Sequence, residues 1–271
     1  MKKYIFIPVL VLGGSVCAFL LRLMEIRTGF ESTTGLPVPG SIWRCLLVTL
    51  LILLAVILLL MGSRLPDEKA APPAAFTSAF STVNAGRLIL PVAGVFLLGL
   101  SGVLELTVIF RGQSTSPRTS LLMAVTALLS ALSLFPTIAA CHRPGSHQAA
   151  PDTPRTFNGN FLLVPVVCLV VRLVFTYRMD SINPALACYY VELLAAACLT
   201  LAFYKLAAFD FKAGRTVQFV QYASMAVILC CATLADGHTL SGTLLYLGCA
   251  LTLMGFILLR LDALSKPRNS H

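Results

Sequence analysis

Residues 46–61 read LLVTLLILLAVILLLM, with a single hydroxyl and no charge. Extended over 42–62, the run is long and apolar enough to cross the ~30 Å hydrocarbon core of a bilayer as one helix. Seven more segments of this kind follow from it outward. The full set lies near 4–24, 42–62, 88–110, 119–140, 161–179, 184–208, 216–235 and 240–261. The fourth contains LLMAVTALLSALSLF (121–135) and carries no charge. RMDSIN separates the fifth from the sixth, and DGHT the seventh from the eighth. Both are expected to be tight hairpins, punctuated by Asn-Pro and Asp-Gly. The expected fold class is all-α: a polytopic membrane helix bundle of about eight transmembrane helices, forming one integral membrane domain over 1–271.

Composition agrees. Of 271 residues, 58% are hydrophobic and 11% charged, where a soluble domain has about 25% charged. Mean hydropathy is +0.88. These values exclude a soluble globule, a disordered chain and a disulfide-stapled secreted domain. The net charge of +9 does not point to nucleic acid, because the basic residues are scattered around apolar segments rather than gathered in a stripe.

The basic residues instead orient the chain. Thirteen Lys and Arg fall on the side that holds both termini, and four (Arg27, Arg111, Arg118 and Arg178) on the other. Three more, Arg22, Arg44 and Arg172, lie within spans toward that second side. The asymmetry predicts cytoplasmic termini and an even number of spans. The first apolar segment follows Lys2 and Lys3, but no A-x-A cleavage site follows it, so it is expected to be a retained span. The expected setting is a cell membrane of the bacterial inner-membrane kind.

KYIFIPV (3–9), RLILPV (87–92) and GNFLLVPV (159–166) open three odd-numbered spans alike, with Pro8, Pro91 and Pro165 near the cytoplasmic entry. Tandem duplication of a two-helix unit would leave this pattern. So would ordinary helix-start chemistry, since proline costs little in a first turn. The two long loops near 63–86 and 141–160 are Pro-rich and polar, and are expected to be linkers rather than folded modules.

Charges inside apolar spans are costly, so each asks for a partner or a function. Five such residues stand out: Arg172, Glu192, Arg22, Arg44 and Glu105. Arg172 and Glu192 lie about equally far from the loop between spans five and six. That predicts similar depth, about 12 Å inside the outer end at 1.5 Å per residue. They either lock two helices as an ion pair or form a polar site, with Arg172 for an anion or Glu192 for a proton or cation. Arg22 and Arg44 sit level near the outer boundary, with Glu25 and Glu105 available as counter-charges. Trp43, Tyr177, Tyr189 and Tyr190 belong to the same level, as an interfacial aromatic belt would. FYKLAAFDFKAGR (203–215) fits a positive-inside loop or an interfacial helix. Gln218 and Gln221 are expected to bond between helices.

The nine cysteines show no C-x-x-C spacing, and the four histidines lie in loops or tails. No disulfide, metal site or cofactor is expected, although Cys141, His142 and His147 share one loop. No nucleotide-binding, zinc-protease or serine-hydrolase motif is present, and no enzymatic activity is expected. Asp236-Gly237-His238 reads as turn chemistry. The expected role is a small transporter or permease-like subunit with its polar site in the outer half. The other role considered is a non-transporting sensor, scaffold or assembly subunit. The expected partners are the lipid bilayer, another membrane protein in the second case, a small-molecule or ion substrate in the first, and no nucleic acid.

Overall fold

In lipid a backbone can satisfy its amides only within itself, so each long apolar run closes its hydrogen bonds as a helix. The computed structural model describes residues 4–29, 40–65, 76–82, 84–112, 117–142, 159–180, 189–211 and 213–265. Within these residues the long helices are α1 (Phe6–Thr28), α2 (Ile42–Gly62), α4 (Ile89–Phe110), α5 (Pro117–Cys141), α6 (Asn160–Asp180), α7 (Tyr189–Ala207), α8 (Thr216–Thr233) and α9 (Leu240–Ser265). A short helix, α3 (Phe76–Phe80), precedes α4. Eight helices are long and apolar enough to cross a membrane, and the chain is a multi-pass all-α bundle. Among the described residues the one β-type contact is an isolated bridge between Thr82 and His142. Much of the two long loops (66–75 and 143–158, with His147), residues 181–188 with Cys188, on which the RMDSIN hairpin expectation largely falls, and Lys212 lie outside the described residues.

The bundle is built around its last two long helices. In the apolar window of α9, 78% of residues are buried, against 22% in α2. α9 therefore forms the core and α2 the rim. α8 packs against α1, α2, α7 and α9, while α9 also packs against α4. α4, α5, α6 and α7 contact one another in sequence. The outward faces carry large apolar side chains such as Ile52, Leu60, Phe96 and Leu132, which suit lipid. The end holding Phe6 and Ser265 is called proximal below, and the opposite end distal.

The closest helix pair is α4 with α9. Along α9 the residues Ser241, Gly248, Gly255 and Asp262 recur every seven positions. Each meets α4, or the 3-10 turn Ala85–Leu88 that leads into it, in antiparallel register. Ser241 donates to Glu105, and Asp262 pairs with Arg87. Between them, a Cβ on Gly248 would lie 2.7 Å from the Gly94 carbonyl oxygen, and one on Gly255 would lie 2.5 Å from Pro91. A seven-residue repeat of small residues is the pattern that lets two membrane helices touch backbone to backbone in a left-handed crossing.

The turn between α8 and α9 is the tight hairpin expected at DGHT. A single 3-10 turn, Leu234–Asp236, is followed by Gly237 at φ +69°, the left-handed conformation that an L side chain resists. Pro8, Pro91 and Pro165 fall in the first two turns of α1, α4 and α6. The sixth span is described from Tyr189, where α7 begins, and its expected start at 184 falls outside the described residues.

The proximal end departs from the linker expectation. Part of the second loop folds inward as α3, and Phe76, Ala79 and Phe80 are fully buried. Phe80 meets Phe209, Phe219 and Phe256 edge-on, with ring centroids 5.2–5.7 Å apart, a preferred aromatic geometry. The same cluster corrects the interfacial-helix alternative for 203–215. α7 ends at Ala207, the chain turns, and Phe203, Leu206 and Phe209 point into the core. At that turn Asp210 accepts the Gly159 N–H, and burial pushes its carboxyl pKa up from the usual range.

The glycine seam generates a test. Gly94→Val would drive a side chain into Thr252, whose Oγ1 would lie 2.4 Å from the new Cβ, and should lower stability by about 1–3 kcal/mol. Gly13→Ala, with nothing within 4 Å, should leave thermal unfolding unchanged or slightly raised.

Candidate functional site

All five intramembrane charges picked out from the sequence lie at the distal end, and the structure sorts them into three groups. In the first, Arg22 and Glu25 are one helical turn apart on α1 and both 2% exposed. The Arg22 guanidinium donates to Glu25 at 2.8 Å and to Asp236, in the α8–α9 hairpin, at 2.6 Å. Arg44, at the start of α2, donates to the other Glu25 oxygen at 3.0 Å. Two cations and two carboxylates thus neutralise one another across three segments. Removing one partner from such a buried set leaves a stranded charge.

The second group holds Arg172 of α6 and Glu192 of α7. They share a neighbourhood, as their sequence positions predict, but they do not form a direct ion pair. Tyr246 of α9, 1% exposed, stands between them. Its hydroxyl donates to Glu192 at 2.7 Å, and its ring lies 5.8 Å from the Arg172 guanidinium carbon. His238 approaches Glu192 at 3.9 Å and stacks near Tyr246 at 5.5 Å. Asp236 feels the charges of both His238 and Glu192, so the first two groups form one electrostatic system.

Glu105 makes the third group. It accepts from Ser241, which is 3.0 Å from Thr239. It therefore joins the start of α9 and makes no ion pair with the other four residues.

Several polar atoms in this region are buried without a protein hydrogen-bond partner: Arg172 Nε, Arg44 Nη2, Asp236 Oδ2 and His238 Nε2. Buried polar groups are normally satisfied, so a concentration of unsatisfied ones marks a place where a polar ligand or water fits. Below Arg172, a narrow cavity runs between α4, α5, α6, α7 and α9. Its lining includes Arg172, Ser130, Cys168 and Cys249 among mostly apolar residues. The cavity gives a water-sized sphere about 20 Å³ for its centre, the space that one water or small ion takes.

Trp43, Tyr177 and Tyr190 are exposed at the same end, where an interfacial belt belongs. The glutamine expectation is met: Gln218 accepts from Lys205 at 3.0 Å, and Gln221 reaches the Leu59 carbonyl at 3.5 Å. No group of three metal-ligating side chains is found among the described residues.

Sequence reasoning misses Tyr246 and Arg260 and discounts Asp236 and His238. Arg260, one of the thirteen basic residues counted on the side of the termini, is 4% exposed within α9. It donates to Thr216 at 2.7 and 3.0 Å and to the Ala79 carbonyl at 3.2 Å, and lies over Phe209. It ties α8, α9 and the inserted α3 together. Asp236 carries a signal, since the α8–α9 turn lies level with Arg22. Tyr246 carries none, because an aromatic residue in an apolar run looks like any other.

Comparison with protein-family models, curated proteins and solved structures finds no match for this chain.

The buried charge set predicts unequal mutational costs. Asp236→Asn or Arg22→Met should cost about 3–5 kcal/mol by stranding a buried charge. Arg44→Gln, whose side chain is 37% exposed, should cost about 1 kcal/mol or less. Thermal unfolding in lipid nanodiscs reads the difference.

Proposed function

We propose that this chain is a small transporter or permease-like subunit that moves a small polar or ionic solute, with its solute site at the distal cluster around Arg172, Tyr246, Glu192 and His238. One observation carries the reading. Arg172 and Glu192 lie in the membrane-spanning part without consuming each other, Arg172 lines a cavity between the helices, and its Nε and the His238 Nε2 are buried without a hydrogen-bond partner. A structural lock would bring the two charges into contact, as Arg22 and Glu25 do. The charges left available are those that a passing solute can use. The Lys and Arg asymmetry supports placing the distal end outside and both termini in the cytoplasm of a cell membrane.

A second reading, a non-transporting sensor, scaffold or assembly subunit, draws on α2. That helix packs chiefly on α1 and α8, and presents Ile52, Leu53, Val56 and Leu60 outward. In this reading another membrane protein replaces lipid on that face.

Flux assays in proteoliposomes separate the two. Purified chain should pass small ions or solutes across the vesicle membrane, and Arg172→Ala and Glu192→Gln should each lower flux by about tenfold or more at unchanged expression and Tm. If both variants unfold instead, the pair is structural. Stable co-purification of a second membrane protein, with no flux by the chain alone, favours the second reading.

A further inference from the structure

The cavity beside Arg172 has a more specific chemistry than a general polar site. Arg172 is the one residue of its lining that carries a fixed charge. Its contacts leave most of its hydrogen-bonding capacity unused. Tyr246 offers the guanidinium a ring face, which attracts the cation electrostatically without accepting an N–H bond. The Tyr246 hydroxyl is turned away and donates to Glu192. One Arg172 Nη1–H points to the Met123 sulfur at 3.8 Å, a weak acceptor. The Nε donor is buried and has no acceptor. The Ser130 hydroxyl on the cavity wall is committed to the Thr126 carbonyl.

A guanidinium whose Nε donor is buried and unpaired, beside an apolar cavity, selects an anion. The space available, about 20 Å³ for a water-sized centre, suits a single-atom anion. The apolar walls disfavour fluoride, whose dehydration is costly, more than chloride or bromide. We propose that this cavity binds one chloride-sized monovalent anion against the Arg172 guanidinium. The proposal deepens the transport reading and rests on it for the anion's onward path, but binding itself is measurable without flux. Glu192 tunes the site from across Tyr246: its charge offsets part of the Arg172 field, so Glu192→Gln tightens anion binding.

The experiment uses the full chain in nanodiscs of uncharged lipid. Thermal unfolding is followed by dye labelling of buried thiols such as Cys230 and Cys249. Sodium chloride and sodium bromide are compared with sodium fluoride and sodium gluconate at equal ionic strength. Chloride and bromide should raise Tm in a saturable way, and fluoride and gluconate should not. Arg172→Gln should remove the response, and Glu192→Gln should move its midpoint to lower chloride. Should Arg172→Gln fail to fold, Ala127→Leu decides, because it fills the cavity and leaves the charge in place. Equal Tm in chloride and gluconate means that the cavity holds water alone and overturns the proposal, as does a response undiminished in Arg172→Gln or, in its stead, Ala127→Leu. Chloride flux in proteoliposomes is scored separately. A chloride-dependent Tm without flux overturns chloride transport and keeps the site, and flux without a Tm response overturns the site.

Discussion

The arrangement of this bundle depends on how closely α4 can approach α9. Without a hydrophobic drive between helices in lipid, close packing and polar contacts must supply the cohesion. Gly94, Gly248 and Gly255 remove side chains from the contact, and the backbones meet. A glycine seam alone slides easily, because its surface is smooth. Here polar pairs fix the register at both ends, Ser241 with Glu105 at one and Asp262 with Arg87 at the other. Both pairs come from the same seven-residue series on α9. Geometry and charge therefore select one alignment, and α9 becomes the post to which the other helices are referred.

Tyr246 shows what that alignment does for the distal cluster. It lies on α9 between Ser241 and Gly248, and its hydroxyl reaches Glu192 of α7 while its ring faces Arg172 of α6. A slip of the seam by one turn, about 5 Å, would remove the ring from between the two charges. They would then be free to collapse into an ordinary ion pair. The seam thus holds two opposite charges apart in a low-dielectric setting where their attraction is strong. The Arg22–Glu25–Asp236 set anchors the same hairpin from the other side through α1.

Much of this is legible in the sequence, for a simple physical reason. Hydropathy decides which segments enter lipid, so the eight spans can be marked within a few residues. Charges inside those spans are rare enough to count singly, and all five residues named from the sequence fall at one end. The pairing is less legible. Symmetry about their loop puts Arg172 and Glu192 at equal depth, but it gives no sign that Tyr246 of α9 stands between them. Arg260 is hidden because it follows the apolar stretch of α9. Thr216 and the Ala79 carbonyl create a polar niche for it that only tertiary structure supplies. The inward turn of Phe76 and Phe80 is hidden by the polar residues around them. The seam itself is present as a seven-residue repeat of small and polar residues, a period that a search for long apolar runs passes over.

The order of the helices along the chain gives the central position of α8 and α9 a further meaning. α1 and α2 enter the membrane early, yet their main tertiary neighbour besides each other is α8, and the seam partner of α4 is α9. During synthesis the first spans must wait in lipid with Arg22, Glu25 and Glu105 lacking their final neighbours. The α8–α9 hairpin then brings Asp236 and Ser241 and closes the distal end in one step. Completion of this bundle therefore comes late in biogenesis. A ribosome that stalls before α8 leaves a chain already inserted but with its charges stranded, a state that membrane quality control can recognise.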